Sequence, residues 1–250
     1  MVYQFKGKHL SDAFDQSGEF NGALPIYLQI AEMIAREIGA GRLLDGERLP
    51  PERDMAREHN VSVGTLRKSL AQLEGRGLLE RRQGSGNYIR HQHHAGNIYA
   101  LFRLELVAGG GLPTAKTLVL DKLPKPKDAP DFGPSQQAYR FQRLRYLDGI
   151  PAALEEIWLD GNAAETLKLS DVSESLYHFY KTKLGRWITR AEDRIGIAPV
   201  PDWQVDQFGL KPGDPAGFIT RIAWDQHGER IEFSRTWFDP KMARYVSRLK

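Results

Sequence analysis

The stretch LPPERDMAREHNVSVGTLRKSLAQLEGRGLLERRQGSGNYI, residues 49–89, decides the fold of the first part of this chain. Residues 52–58 are strong helix formers that follow two prolines, and proline suits the first turn of a helix. Ser62 is placed to cap a second helix over 63–76, whose leucines recur on one face. The polar break at 60–62 therefore predicts a tight turn between two helices.

A helix before this stretch and a hairpin at its end complete the pattern. Pro25 opens a run in which isoleucine recurs at every fourth residue from Ile26 to Ile38, which predicts a helix with one apolar face. Downstream, 79–83 and 87–90 flank Gly84-Ser85-Gly86, which predicts two short strands joined by a glycine turn. This order is typical of a winged helix-turn-helix, in which the helix after the turn enters the major groove of DNA.

The charge of this segment fits a nucleic-acid partner. Between residues 62 and 90, six basic residues stand against two acidic ones, a local balance of +4, whereas the whole chain carries +3. Ser62 and Thr65 begin the second helix of the turn, where hydroxyl and backbone N–H groups can meet a phosphate. Arg67 is the better candidate for reading guanine, and Lys68 for neutralising phosphate.

Residues 49–89 resemble the DNA-binding module of GntR-type regulators. They match it in the Pro-x-Glu-Arg start, the Val-Ser turn, the Thr-x-Arg of the recognition helix and the Gly-x-Gly wing. The resemblance implies contacts with operator DNA from Arg53, Ser62, Thr65, Arg67, Gln83 and Gly84. Many members have a base-reading arginine where this chain has Val63, so either the operator differs there or Val63 touches a thymine methyl group.

A simpler interpretation of the same arginines remains open. Arginines on a small helical domain also form ordinary ion pairs with neighbouring carboxylates. The pairs would join Arg53, Arg67 and Arg81 to Glu52, Glu74 and Glu80.

After residue 99 the pattern changes to alternating, strand-like runs, which predicts an α+β domain built on an antiparallel sheet. The predicted strands are 117–120, 139–147, 154–159, 188–197, 217–224 and 230–238. Helices are predicted over 175–184 and 200–208, and turns at 148–149 and 227–228. Residues 99–247 resemble the UTRA ligand-sensing domain of HutC-like GntR regulators, which is similar in fold to chorismate lyase. The resemblance rests on segments 143–151, 154–159, 175–177, 188–197 and 230–235, in that order.

Two arginines indicate a binding site in this domain. Arg143 and Arg145 are two apart on a predicted strand, so both guanidinium groups emerge on one face and suit a carboxylate or phosphate. Acceptors for hydroxyl or amino groups are added by Glu155, Glu232 and Ser234. The resemblance implies the same positions, together with Ser175, around a small anionic effector such as a sugar phosphate or carboxylic acid.

Other interpretations of these residues stay open as well. Arg143, Arg145, Glu155 and Glu232 could neutralise one another across the sheet. Three aromatic residues, Tyr177, Trp158 and Trp237, could line a pocket, but such side chains in a domain of this kind more often belong to the core.

Several classes of function are disfavoured by composition. The chain has no cysteine, which excludes disulfides, thiolate nucleophiles and Cys-based zinc sites. It has no apolar run of membrane-spanning length and no signal peptide, so we expect a cytoplasmic protein without a membrane partner. His91, His93 and His94 lack the spacing and carboxylate partners of a metal site. No metal, cofactor or catalytic residue is predicted.

These observations predict a division into an N-terminal flexible arm (1–23), a winged helix-turn-helix (24–91), a linker (92–98) and an effector-sensing domain (99–250). The predicted function is a homodimeric transcription regulator that binds double-stranded operator DNA, a repressor released by a small anionic metabolite. The alternative is a chorismate-lyase-like enzyme domain attached to a DNA-binding module.

Overall fold

The computed structural model describes residues 25–39, 43–90, 101–173 and 175–247, which fall into two units. The first unit ends at Phe102 and also takes Ser247, and the second spans Arg103–Val246. The predicted arm and linker, together with the three histidines at 91, 93 and 94, lie outside the described residues. The domain limits drawn from the sequence therefore stay predictions.

The described residues of the first unit form three helices and a hairpin in the predicted order. The elements are α1 (Ile26–Gly39), α2 (Glu52–Glu58), α3 (Val63–Gly75), β1 (Leu79–Arg82) and β2 (Gly86–Ile89). Ser62 caps α3, because its hydroxyl oxygen accepts the backbone N–H of Thr65 at 3.0 Å. Such a cap stabilises a helix by about 1 kcal/mol.

The apolar faces read from the sequence form the core of this unit. The isoleucines of α1 meet the leucines of α3, and Ile89 of β2 closes the cluster. Side chains that are at least 98% buried include Ile30, Ile34, Ile38, Leu66, Leu70, Leu73 and Ile89. Arg76, at the end of α3, forms an ion pair with the fully buried Glu32 of α1 and so joins the two helices at one edge of the core.

The second unit is an antiparallel six-stranded sheet with a short helix and a two-stranded ribbon. Its strands are β4 (Pro113–Pro124), β5 (Gln137–Leu147), β6 (Ile150–Asp160), β7 (Ile188–Pro199), β8 (Pro215–Asp225) and β9 (Arg230–Phe238). Their order across the sheet is β4-β5-β6-β9-β8-β7. The helix is α4 (Leu176–Lys183), and the ribbon pairs β3 (Leu104–Leu106) with β10 (Ala243–Tyr245).

Two sequence-based expectations for this unit differ from the structure. The helix predicted over 200–208 is wrong, since the segment has only a 3-10 turn at Asp206–Phe208. Pro201 disfavours a helical conformation at the residue before it, and Trp203 and Phe208 pack against the sheet as an irregular segment. The β3–β10 ribbon was not predicted, because three residues are too few to show a period of two.

The two faces of the sheet differ in chemistry. On one face of the sheet, apolar side chains form two clusters. Leu144, Leu154 and Trp237 belong to one cluster, and Trp158 and Phe233 belong to the other. Trp158 and Trp237 are therefore core residues. The opposite side, which we call the polar face, is the side that carries Arg143, Glu155 and Glu232.

The helical core gives a direct test of this packing. Leu66 is fully buried, so Leu66→Ala removes apolar contacts and leaves a cavity that should lower the free energy of unfolding by about 2–5 kcal/mol. Leu44 is 56% exposed, and Leu44→Ala serves as the control, with an expected change within about 0.5 kcal/mol. Urea unfolding followed by circular dichroism measures both. Equal effects of the two substitutions would contradict the packing of α1 on α3.

Candidate nucleic-acid interface and ligand site

The beginning of α3 presents hydroxyl groups at the protein surface. The hydroxyls of Ser62 and Thr65 lie 2.9 Å apart and share a hydrogen bond. Ser62 is exposed and Thr65 is half-buried. Because a helix N-terminus carries free N–H groups and a positive partial charge, this end of α3 suits contact with a phosphate.

Arg67 lies further along α3 and is held by an acidic neighbour. Its Nε donates to Glu52 Oε2 at 2.7 Å, while 64% of the Arg67 side chain remains exposed. The hydrogen bond from Arg67 lowers the pKa of Glu52, so this carboxylate stays charged at neutral pH. The contact orients the guanidinium group and leaves most of it open to solvent.

The hairpin β1–β2 forms the wing next to α3. Gln83 and Gly84 are exposed at its turn, and Gly84 has a left-handed φ of 73° that suits glycine. Gly86 is held more tightly: its φ is 124°, and a Cβ atom there would lie 2.9 Å from Nε of Arg48. The shape of the wing thus depends on this glycine.

One side chain fixes the wing against α3. Arg81 of β1 donates from Nη2 to the backbone carbonyl of Arg67 at 3.1 Å and forms an ion pair with Glu74 at 3.2 Å. The simpler interpretation of ordinary ion pairs thus describes the contacts of Arg67 and Arg81 correctly. It does not remove them from the surface, since their side chains remain 64% and 35% exposed.

The predicted DNA-contacting residues all belong to the first unit and are exposed or half-buried there. They are Arg53 on α2, Ser62, Thr65, Arg67 and Lys68 at the start and first turns of α3, and Gln83 and Gly84 at the wing. Their contacts with DNA remain predictions. Val63, where many relatives have arginine, is half-buried and packs against the helical core.

In the second unit, one carboxylate on the polar face is shared by two guanidinium groups. Arg145 donates three hydrogen bonds to Glu155, at 2.9, 2.9 and 3.1 Å, and Nη1 of Arg143 lies 3.6 Å from Glu155 Oε2. Arg143 is 1% exposed, and Arg145 and Glu155 are almost as buried. Burial alone would raise the pKa of Glu155, but the positive charges of Arg145 and Arg143 outweigh it and lower that pKa.

Glu232 on β9 has a different environment. Tyr177 of α4 donates to Glu232 Oε1 at 3.0 Å, and the Tyr180 hydroxyl faces the same carboxyl group. Burial raises the pKa of Glu232, which favours its neutral form. Tyr177 was expected to be a core aromatic, and the structure places its hydroxyl in the polar cluster instead.

A second ion pair, which the sequence did not indicate, extends this cluster toward β7. Arg221 of β8 donates to both carboxylate oxygens of Asp193 at 2.5 and 2.7 Å, and Tyr245 of the ribbon donates to Asp193 at 2.8 Å. Arg221 also contacts Tyr177. Alternation along β8 gives the face of Arg221, but the order of strands that brings β8 beside β9 cannot be read from the sequence.

The two predicted serines lie at the edges of the cluster. Ser175 is buried and caps α4, accepting the backbone N–H of His178 at 3.3 Å. Ser234 is buried on the polar face of β9, directly opposite Arg221 on β8. The structure therefore brings Arg143, Arg145 and Glu155 together and sets Glu232 and Ser234 on the same face, with Glu232 in contact with α4.

These two units define a bacterial regulator with a DNA-binding domain and a ligand-sensing domain. Residues 26–89 match the gntR family of bacterial regulatory proteins, and residues 109–244 match the UTRA domain. The chain belongs to the gntR family and carries a UTRA domain, which confirms both resemblances and the α+β fold.

Particular relatives agree with this assignment. The chain is 55% identical over 229 residues to the HTH-type transcriptional regulator SmoD of Agrobacterium fabrum, covering 92% of this chain and 98% of SmoD. It is 31% identical over 183 residues to the mannosyl-D-glycerate transport/metabolism system repressor MngR of Escherichia coli, covering 70% of this chain and 75% of MngR.

A solved structure shares the fold. The crystal structure of YydK from Bacillus subtilis has a TM-score of 0.52 and 24% identity, with 91% of this chain and 100% of that chain covered.

Among the described residues, no helix has the length and apolar character needed to cross a membrane.

The burial of Glu232 predicts a pH dependence of stability. Because the pKa of Glu232 is higher in the folded protein than in the unfolded chain, the protonated carboxyl stabilises the fold. This contribution is complete below the unfolded pKa of about 4.3 and is lost as the pH rises through the folded pKa. Glu232→Gln keeps an acceptor for Tyr177 and cannot ionise. The melting temperature of this variant relative to wild type should therefore rise between about pH 4 and pH 7.

Ser234→Ala is the control, because it alters the same strand face without a titratable group. Its melting temperature should follow the wild-type curve in parallel. A difference between Glu232→Gln and wild type that stays constant with pH would show that Glu232 ionises normally in the folded protein.

Proposed function

We propose that the chain is a ligand-responsive repressor: α3 and the wing bind operator DNA, and a small anion bound at the polar face releases it. The observation that carries this proposal is the sharing of Glu155 by Arg143 and Arg145 inside a UTRA domain. The DNA-binding role itself follows from family membership.

The charges of the polar face favour an anionic ligand. Three arginines, Arg143, Arg145 and Arg221, stand among three acidic residues, Glu155, Asp193 and Glu232. The six formal charges cancel when all groups are ionised, and burial raises the pKa of Glu232, so uptake of a proton there leaves a positive balance. A carboxylate or phosphate would complete the balance, and guanidinium groups bind both with charge-assisted hydrogen bonds.

The polar groups around these charges suit a hydroxylated ligand. Glu232, Ser234 and Tyr177 carry acceptors and donors close to the arginines. MngR, a relative at 31% identity, is named as the repressor of a mannosyl-D-glycerate system. A sugar phosphate or a carboxylated sugar is therefore the ligand class that we propose, and repression is the direction of control.

Binding of this ligand is linked to binding of DNA. An effector that prefers the conformation with low operator affinity weakens operator binding, and DNA weakens effector binding by the same factor. The coupling free energy is typically about 1–3 kcal/mol. We further propose that the chain acts in the cytoplasm as a homodimer on a two-fold symmetric operator, since one recognition helix covers only a few base pairs. Turnover of the bound ligand would instead favour the enzyme alternative.

The role of α3 is tested on an operator selected from random duplexes with the full chain. Arg67→Ala should weaken binding to this operator by about 1–3 kcal/mol at fixed salt and relax base preference at one position. Arg57→Ala is the control, because Arg57 lies on α2 with 80% of its side chain exposed and pairs only with Asp54 among the contacts seen. A fluorescence anisotropy titration measures both variants, and an unchanged curve for Arg67→Ala would remove this residue from the interface.

The ligand class is tested by a thermal-shift screen of sugar phosphates, sugar acids and neutral sugars. Anionic compounds should raise the melting temperature of the wild-type protein, and Arg143→Ala and Arg145→Ala should each abolish that rise. Arg140→Ala is the matched control: Arg140 lies on the same strand but on the opposite face, where it binds Asp121.

The anionic compound that raises the melting temperature should also release the protein from the selected operator in the anisotropy assay. Stabilisation by a neutral sugar, or by an anion whose effect survives both substitutions, would contradict an anion site at this face. The arginines would then serve only as cross-strand ion pairs.

A further inference from the structure

Strand β7 forms one of the two outer edges of the six-stranded sheet, and β4 forms the other. Strand β7 pairs with β8 on one side and is the last strand of the sheet, so its other side presents backbone N–H and C=O groups. Exposed edges of this kind template pairing with another strand. At twelve residues, β7 is also among the longest strands of the sheet.

Apolar side chains accompany this open edge. Ile195 is 57% exposed and Ile197 is 79% exposed, and both lie on the polar-face side of β7. Gly196 between them has no atom within 4 Å of the position that a Cβ would take, so the opposite face of β7 is open at this residue. Single exposed apolar residues are common on proteins, but two on one unpaired strand edge indicate a surface that is covered by a partner.

The charges of β7 identify that partner as a second copy of the same strand. Glu192 and Arg194 lie on the opposite side of β7 from the isoleucines, with 44% and 82% of their side chains exposed. When two copies pair antiparallel about a two-fold axis at Asp193, Glu192 of each copy lies opposite Arg194 of the other. The strand is therefore complementary to itself, as a two-fold interface requires.

The remaining positions fit this register. Ile195 then lies opposite the small side chain of Ala191 of the second copy, and Ile197 lies opposite Thr189, the bulged residue of β7. The two Asp193 carboxylates meet at the axis, but each is neutralised by its own Arg221 through hydrogen bonds of 2.5 and 2.7 Å. The charge at the axis is therefore compensated within each chain.

We infer that β7 is the dimerisation edge, where two copies of this chain join their sheets into one continuous antiparallel sheet. The inference rests on the homodimer of the proposed function and adds the surface that forms it.

A charge-swap experiment on the full chain tests this interface. Glu192→Arg and Arg194→Glu each place like charges opposite one another twice, and each variant should self-associate at least about tenfold more weakly than wild type in sedimentation velocity. A mixture of the two variants should form a one-to-one heterodimer. Mixing restores opposite charges between the two chains. The ion pair between Glu192 and Arg194 within each chain stays lost, so recovery on mixing reports on the interface.

Apolar variants test the same edge independently of the charges. Ile195→Asp together with Ile197→Asp should also yield monomers. Val107→Asp and Leu169→Asp, at residues that are 51% and 48% exposed elsewhere in the unit, should leave the dimer intact. In wild type, hydrogen exchange at β7 amides should slow as protein concentration rises through the dimerisation range, a measurement that needs no variant.

Two failures can be told apart. A wild-type chain that is monomeric at tens of micromolar would contradict the proposed homodimer, and the interface with it. A wild-type dimer that persists in the edge variants, or variants that are folded by circular dichroism but fail to form a heterodimer on mixing, would overturn the β7 interface alone.

Discussion

Burial of two guanidinium groups beside a single carboxylate is the constraint on which the ligand-sensing domain depends. Taking ions out of water is costly, and a buried charge survives only with good partners. Arg143 and Arg145 are held across the β5–β6 pair by Glu155, which makes three hydrogen bonds with Arg145 alone. The register of these two strands is thus fixed twice, by backbone hydrogen bonds and by side-chain charge. A slip of one residue would move the arginines to the apolar face.

On the same polar face, a second set of polar contacts links β9, α4, β8, β7 and the ribbon. Glu232 contacts Tyr177, Tyr177 contacts Arg221, and Arg221 binds Asp193, which also accepts from Tyr245 of the ribbon. Burial together with the neighbouring Asp193 raises the pKa of Tyr245 to about 12, so this hydroxyl stays a donor at every physiological pH. The face that holds the candidate ligand site is consequently ordered by hydrogen bonds, whereas the opposite face is ordered by aromatic packing.

The sequence predicted the elements of the first unit almost to the residue, because helix periodicity, a serine cap and a glycine turn are local signals. It also predicted that Arg143 and Arg145 share a face, since alternation along one strand is local too. Arg221 and Asp193 were missed because their importance depends on which strands are neighbours. Tyr177 was assigned to the core because a tyrosine in a short helix gives no sign that its hydroxyl will reach a buried glutamate on another element.

Asp193 makes the edge of this sheet unusually intolerant of change. An outermost strand is held by backbone hydrogen bonds on one side only. Here the outermost strand supplies the carboxylate that holds both a buried arginine and the hydroxyl of the ribbon. Loss of that carboxylate would leave a guanidinium group without its bidentate partner, so position 193 is as restricted as a position in a central strand. Position 193 is thus restricted from inside the domain, and in the inferred dimer Glu192 and Arg194 are restricted by the second copy.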